Sequence, residues 1–199
     1  MNQESEPDFC IKLLVLGDLS VGKSSFIFRF IEDKFNSGQI PSTGLDLKTA
    51  DIILENKKIR VQIWDTVGQE KYNSITKNLL LRVEGIIILF DLTKLETFDN
   101  LGHWTGIIKE NCGNNFPILF VGNKSDLEEN HIIKKEDIIK FINKKKAKYI
   151  RTSCKTGDNI KKAVDIICKE IIHTSTTKND ISFSLESSSL VANNKKKCC

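Results

Sequence analysis

Short apolar runs and amphipathic segments alternate along this chain. Three of the runs are almost continuously apolar and cover residues 9–16, 85–90 and 116–121. Such runs are typical of strands that are buried on both faces in the centre of a parallel sheet. Two shorter runs, 52–54 and 59–64, flank the polar stretch 55–58, and this pattern predicts a β-hairpin.

Segments with helical spacing lie between the predicted strands, at residues 26–31, 95–109, 138–146 and 160–172. In the last of them an apolar stripe repeats every three to four residues. A short strand is predicted over 148–152. The repeated strand–helix alternation predicts an α/β domain with a doubly wound, mostly parallel six-stranded sheet and flanking helices. Ligands of such domains bind at the carboxyl-terminal ends of the strands.

Composition and charge exclude several classes of protein. The 199 residues carry a net charge of only +4, which argues against a nucleic-acid interface. No apolar run approaches the roughly 20 residues of a membrane-spanning helix, and the polar start predicts no secretory leader. The six cysteines form no Cys-x-x-Cys pair, so we expect a reduced, cytosolic protein without zinc or disulfides. We also expect a monomer.

The composition changes near residue 173. The following stretch, 174–197, is rich in Ser, Thr, Asn and Lys and has few apolar residues, which predicts a flexible tail. We therefore divide the chain into an N-terminal extension at 1–8, one domain at 9–173 and a flexible tail at 174–199.

The strongest motif fits G-x-x-x-x-G-K-[ST] and lies between a predicted strand and a predicted helix. The predicted phosphate-binding residues are Gly17, Asp18, Leu19, Ser20, Val21, Gly22, Lys23, Ser24 and Ser25. In such a loop, backbone N–H groups surround the phosphates, the lysine neutralises their oxygens and the serine hydroxyl can bind Mg²⁺. This motif alone leaves a kinase, an ATPase and a GTPase open.

A second motif selects the base. Asn123, Lys124 and Asp126 follow the apolar run 116–121 as N-K-x-D. The Asp126 carboxylate can accept hydrogen bonds from the N1–H and 2-amino groups of guanine, and adenine offers neither. A site of this kind discriminates by roughly 10⁴-fold or more. The pair of motifs therefore predicts guanine nucleotides and disfavours a kinase or ATPase.

A third motif, D-x-x-G, begins where the predicted strand 59–64 ends. Asp65 can hold Mg²⁺ through water, and the Gly68 N–H can contact the γ-phosphate. The motif is weak alone, but it stands in the expected order with the other two.

With these motifs, residues 8–173 resemble a Rab protein of the Ras superfamily. Residues 61–66, 72–76, 90–93 and 97–100, followed by Trp104, also resemble stretches that mark Rabs. The resemblance implies a P-loop NTPase fold, slow GTP hydrolysis, GDP–GTP exchange and two switch loops. It implies that Gln69 orients the attacking water and that Lys23 acts with it in catalysis. We expect Trp104 to pack in the core.

The resemblance also implies further nucleotide ligands. Residues 152–155 match the family's T-S-A-K, so Ser153, Cys154 and Lys155 would contact guanine, and Phe35 would flank the base. The predicted switch I consists of Ser42, Thr43 and Gly44. Ser42 occupies the position of the family's Mg²⁺-binding threonine, and Thr43 is the alternative ligand.

Some positions depart from the family. Val67 replaces an alanine beside the expected γ-phosphate, and overpacking there would cost about 1–3 kcal/mol. The alternative to a hydrolysing switch is therefore a GTP-bound membrane adaptor with little or no hydrolysis. Leu19 replaces a small residue in the phosphate loop. On the predicted effector surface, made of Leu47, Trp64 and Leu79, leucines replace the family's aromatic residues.

The chain ends in three lysines followed by Cys198 and Cys199, which resembles a Rab double-geranylgeranylation site. Two lipid chains provide stable anchoring, and each lysine adds roughly 1 kcal/mol at an anionic surface. The resemblance implies a location on the cytoplasmic face of an endomembrane, with cycling through the cytosol. It also implies an exchange factor, a GTPase-activating protein, an effector, a GDP-dissociation inhibitor and a prenylation escort as partners.

Overall fold

The sheet has six strands in the order β2-β3-β1-β4-β5-β6. The computed structural model describes residues 6–36, 46–65 and 78–185, and side chains as far as Thr174. The strands are β1 Phe9–Leu16, β2 Asp46–Leu54, β3 Lys57–Asp65, β4 Gly85–Asp91, β5 Ile118–Asn123 and β6 Lys148–Arg151. The β2–β3 pair is antiparallel and all other pairs are parallel. The predicted doubly wound, mostly parallel sheet is confirmed.

Helices cover both faces of the sheet. They are α1 Lys23–Glu32, α2 Leu95–Asp99, α3 Leu101–Cys112, α4 Lys135–Lys145 and α5 Ile160–Leu185, with a 3₁₀ turn at Glu128–Asn130. Helices α1 and α5 contribute to one core cluster, and α3 and α4 contribute to the other. The predicted helix 95–109 is divided at Asn100, which ends α2 and precedes α3.

Alternate residues of the central strands belong to opposite core clusters. On β1, Leu13 and Val15 lie in the cluster with α1 and α5, whereas Leu14 and Leu16 lie in the cluster with α3 and α4. All seven residues of β4 are buried. Burial on both faces explains why these strands are continuous apolar runs.

The β2–β3 hairpin turns at Glu55 and Asn56, whose φ angles are 51° and 61°. Two consecutive left-handed residues are typical of a type I′ turn, which matches the twist of the strands it joins. The observed turn is therefore shorter than the predicted polar turn 55–58, because Lys57 and Lys58 already belong to β3.

The last helix extends into the stretch for which a flexible tail was predicted. Helix α5 continues to Leu185, and the predicted tail begins at residue 174. Residues 174–185 contain neither glycine nor proline, so no residue there interrupts the backbone hydrogen bonds of the helix. Residues 186–199 lie outside the described part of the chain. Within that part, no helix combines the length and the apolar character needed to cross a bilayer.

Candidate functional site

The phosphate-loop motif connects β1 to α1, at the carboxyl-terminal edge of the sheet. Gly17 has φ 136° and Gly22 has φ 101°, a region that side chains rarely adopt. A Cβ atom at Gly17 would overlap the Leu89 carbonyl oxygen, and one at Gly22 would overlap the Asn123 amide nitrogen. Both glycines of the motif are therefore required by the backbone path and by close packing.

Lys23 begins α1 and is only 6% exposed. Its Nζ donates to the carbonyl oxygens of Gly17 at 2.7 Å and Asp18 at 2.8 Å. The ammonium group thus lies inside the curve of the loop, next to the N-terminal end of a helix. Both features favour an anion at this position.

Ser24 and Asp65 come together from α1 and the end of β3. The Ser24 hydroxyl donates to Asp65 Oδ1 at 3.2 Å, and Asp65 is 7% exposed. A hydroxyl oxygen beside a carboxylate is a donor set that fits Mg²⁺, which prefers hard oxygen ligands. These two predicted metal ligands are therefore adjacent.

Asn123, at the end of β5, connects the base motif to the phosphate loop through a hydrogen bond. Its Nδ2 donates to the Val21 carbonyl at 2.8 Å, and its Oδ1 accepts from Thr152 Oγ1 and Cys154 Sγ, both at 3.3 Å. The side chain is 1% exposed, and burial raises the pKa of the Cys154 thiol to about 12, so this thiol stays a neutral donor. The network holds three separate chain segments in one arrangement.

Asp126 is oriented by the segment that follows β6. The Ser153 hydroxyl donates to Asp126 Oδ1 at 2.6 Å and accepts from the Thr156 N–H at 3.1 Å. Arg29 of α1 donates to the Thr156 carbonyl at 2.9 Å. Arg29 was not predicted from the sequence, because nothing near it in the chain marks a contact with a loop 127 residues away.

Lys124 is held by a buried carboxylate. Its Nζ lies 2.6 Å from Asp91 Oδ2, and Asp91 is fully buried at the end of β4. Burial alone would raise the pKa of Asp91, but the Lys124 ammonium and the Thr93 hydrogen bonds lower it below its usual value. Asp91 was not predicted as a site residue. The available signal was an aspartate that ends a wholly apolar strand, since a buried charge requires a partner.

A polar cleft of about 410 Å³ adjoins Asp126. Arg151 lines it, and its guanidinium lies 3.2 Å from His131 Nδ1. The other nitrogen of His131 lies 3.2 Å from the Lys124 carbonyl oxygen. His131 therefore supports the backbone of the base motif, a role that the sequence did not predict.

The remaining predicted nucleotide ligands are more exposed. Leu19 is 62% exposed, so its bulk extends from the phosphate loop toward solvent. The Phe35 ring is 41% exposed, and Lys155 is also exposed. An accessible ring at Phe35 is compatible with stacking on a base.

The predicted effector surface needs one correction. Leu47 is 39% exposed and lies opposite the half-buried Trp64 in the β2–β3 register, as expected for a surface pair. Leu79, however, is only 6% exposed and belongs to the core cluster of α3 and α4. A turn closed by the Arg82 N–H on the Leu79 carbonyl accompanies this burial, and Leu81 is the exposed leucine of the group, at 72%.

Several predicted residues lie outside the described part of the chain. These are Ser42, Thr43, Gly44, Val67, Gly68, Gln69, Cys198 and Cys199. Their assignments remain predictions from the sequence.

Comparisons with known proteins find similarity over most of the chain. The model of the Ras family matches residues 12–173. The chain is 37% identical to the GTP-binding protein ypt3 of Schizosaccharomyces pombe over 171 residues, 86% of this chain and 80% of that protein. It is 37% identical to the Ras-related protein Rab-13 of Canis lupus familiaris, covering 83% of this chain and 81% of the other. It is 32% identical to the Ras-related protein RABA4b of Arabidopsis thaliana, covering 86% and 77%.

Proposed function

This chain is a Rab-like small GTPase of the Ras family, and we propose that its phosphate loop and N-K-x-D motif together bind GTP and GDP. As a member of this family it hydrolyses GTP and acts in vesicle trafficking. The observation that carries the proposed site is the 2.8 Å hydrogen bond from Asn123 to the Val21 carbonyl, because it joins the two motifs. The spacing between a base and its phosphates requires such a fixed arrangement.

On the phosphate side, we assign charge neutralisation to Lys23. Its ammonium is already desolvated and held by two carbonyl oxygens, so it need not be reorganised when an anion arrives. Preorganised charge in a water-poor site stabilises a phosphoryl group more than a solvated lysine does. The backbone of Gly17–Ser25 supplies the remaining contacts.

For the metal, we propose that Ser24 binds it directly and that Asp65 holds it through water. Ser42 would complete the set, with Thr43 as the alternative. Bound Mg²⁺ would neutralise charge on the β- and γ-phosphates. The Gly68 N–H would contact the γ-phosphate, and Gln69 would orient the water that attacks it. Ser42, Thr43 and Gly44 form the proposed switch I.

On the base side, Asp126 would accept from guanine N1–H and the 2-amino group. Ser153 holds this carboxylate in place. The backbone at Cys154 and Lys155 would donate to the base, and the Phe35 ring would cover one face of it. Lys124, fixed by Asp91, would lie against the other face.

The adaptor without hydrolysis is not favoured. It rested on Val67 alone. The similarity to Ypt and Rab proteins covers more than four-fifths of this chain, and members of the Ras family hydrolyse GTP. A single valine, outside the described residues, does not outweigh that similarity.

We also propose a lipid anchor and the partners that accompany it. Cys198 and Cys199 would carry two geranylgeranyl groups, and the preceding lysines would contact anionic lipid. The protein would act on the cytoplasmic face of an endomembrane, with an exchange factor, an activating protein, an effector, a GDP-dissociation inhibitor and a prenylation escort as partners. Leu47 and Trp64 remain the proposed effector residues.

Nucleotide competition tests the proposed site. The full chain with Mg²⁺ is titrated with GTP, ATP and inosine triphosphate, which retains N1–H but lacks the 2-amino group. We expect GTP to bind roughly 10–100-fold more tightly than inosine triphosphate, the value of one hydrogen bond to a charged acceptor. Asp126→Asn should remove most of this preference, because an amide accepts less strongly and adds a donor.

The matched control is Asp158→Asn, the same change in another acidic residue of the cleft beside Asp126. It should leave the preference for GTP unchanged. Equal affinity of the parent protein for GTP and ATP would contradict the proposed site.

A further inference from the structure

The carboxylate of Asp18 has both oxygens bound by donors from one region. Asn100 Nδ2 donates to Asp18 Oδ2 at 2.7 Å, and Trp104 Nε1 donates to Asp18 Oδ1 at 2.9 Å. The contacts span 82 and 86 residues of sequence. Neither donor follows from the phosphate-loop motif, since the motif leaves position 18 unspecified.

Asp18 also contacts the lysine of the loop. Its backbone carbonyl accepts from Lys23 Nζ at 2.8 Å, while its side chain binds α3. Asp18 therefore connects the ammonium group of Lys23 to helix α3 on one face of the sheet. A carboxylate released from α3 would be free to compete with phosphate for the Lys23 ammonium.

The two donors are themselves rigidly placed. Trp104 is 4% exposed and belongs to a core cluster, so its indole has little room to move. The Asn100 N–H donates to the Glu96 carbonyl, and its carbonyl accepts from the Trp104 N–H. The Asn100 side chain forms no helix-capping hydrogen bond, although asparagine commonly caps helices, and it binds Asp18 instead.

Helix α2 connects this contact to the base side of the site. The Thr97 hydroxyl accepts from the Asp91 N–H at 3.0 Å, and Asp91 is the partner of Lys124. The segment from Asp91 to Trp104 therefore touches both nucleotide motifs.

We propose that Asn100 and Trp104 are positioning residues that hold the phosphate loop through Asp18 and thereby set the rate of nucleotide release. The inference rests on the proposed nucleotide site. Carboxylate hydrogen bonds of this length are of the charge-assisted kind. Their loss would free the loop backbone and let the carboxylate turn toward Lys23, so bound GDP would leave faster.

The test measures the dissociation rate of fluorescent GDP from the full chain with Mg²⁺. Asn100→Asp replaces the donor with a second carboxylate and should speed release by roughly tenfold or more, the effect of one charged hydrogen bond. Trp104→Phe keeps an aromatic ring but removes the N–H, and should speed release several-fold.

The exchange Asp18→Asn/Asn100→Asp gives the decisive readout. The amide introduced at position 18 would donate to the carboxylate introduced at position 100 and would still accept from Trp104. Release should return to within a few-fold of the parent, which a purely structural defect in α3 would not allow. The matched control Asn111→Asp makes the same change near the other end of α3 and should leave the rate unchanged.

The outcomes separate the two proposals. If the parent does not bind GDP, the proposed nucleotide site is wrong. If the parent binds GDP but Asn100→Asp and Trp104→Phe release it at the parent rate, the positioning role is overturned. That role is also overturned if the exchange releases GDP as fast as Asn100→Asp alone. Should Asn100→Asp fail to fold, the positioning role is overturned if Trp104→Phe releases GDP at the parent rate, or if the exchange releases it roughly tenfold or more faster than the parent.

Discussion

Two aspartates, Asp91 at the nucleotide edge and Asp51 on the β2–β3 hairpin, form ion pairs in opposite surroundings. Asp91 is fully buried and faces one lysine, Lys124, at 2.6 Å. The Asp51 side chain is 30% exposed to solvent, and it accepts two hydrogen bonds from Arg60, of 2.8 and 2.9 Å. Both carboxyl groups have lowered pKa values, so charge pairing dominates in each place, but only Asp91 has lost its access to water.

The difference shows where this protein is rigid. At the nucleotide edge a removed partner leaves a buried charge or a buried donor, and such groups cost free energy that water cannot restore. On the hairpin, water replaces a lost partner. The hairpin also exposes apolar side chains, with Ile53 at 72% and Leu47 at 39%. The nucleotide edge is thus tightly constrained, while the exposed side chains of the hairpin have more freedom to move.

The largest effect should come from Gly17→Ala, which tests how rigid the nucleotide edge is. The new Cβ would overlap the Leu89 carbonyl oxygen at a φ of 136°, so backbone must move. We expect a loss of about 3 kcal/mol or more in the free energy of unfolding, measured by urea denaturation.

The control for this change is Gly102→Ala in α3, where a new Cβ meets no atom within 4 Å. It should be neutral or stabilising by up to about 1 kcal/mol. A Gly17→Ala protein as stable as the control would show that the loop is looser than its packing indicates.

Asp91→Asn should have the next largest effect. An amide that keeps its oxygen on the Thr93 donors turns its NH₂ toward the Lys124 ammonium, which then loses its charge partner. We expect a loss of about 2–3 kcal/mol at pH 7 by urea denaturation. Because the pKa of Asp91 is lowered on folding, its contribution is present above the unfolded pKa, about 3.9, and is lost as pH falls through the lower folded value. An Asp91→Asn loss no larger than that of an exposed aspartate would remove the contrast between the two regions.

Local sequence patterns were sufficient to predict much of the fold. The central strands were predictable because burial on both faces leaves no polar position in them, as the all-buried β4 illustrates. The division between α2 and α3 was not predictable, because helical spacing continues through Asn100. The Asn100 side chain binds Asp18, a residue 82 positions away, and a local sequence pattern cannot indicate a contact over that separation.

The same limit applies to the site. Lys23, Asn123 and Asp126 were predictable because their chemistry acts at fixed spacing within a loop. Asp91 was missed because its partner lies just beyond the neighbouring strand β5, out of reach of a linear motif. Leu79 was misplaced because an apolar residue suits either a core or a partner surface, and only packing decides between them.

The smallest effect should come from Asp51→Asn, the same chemical change made on the hairpin. Arg60 lies directly opposite Asp51 on β3, and its hydrogen bonds, helped by Lys58, lower the pKa of Asp51 to about 2 against the opposing effect of burial. Because the pair is partly solvated, we expect a loss of less than about 1 kcal/mol at pH 7. The pKa is lowered on folding, so this contribution is present above the unfolded pKa of about 3.9 and disappears as pH falls toward 2.

Urea denaturation of parent and variant should therefore give a difference in the free energy of unfolding that is constant from pH 7 to 5 and shrinks below pH 4. The difference should also shrink in 1 M salt, where exposed charges are screened. A loss as large as that of Asp91→Asn, or one that salt does not reduce, would mean that the hairpin pair is as constrained as the nucleotide edge.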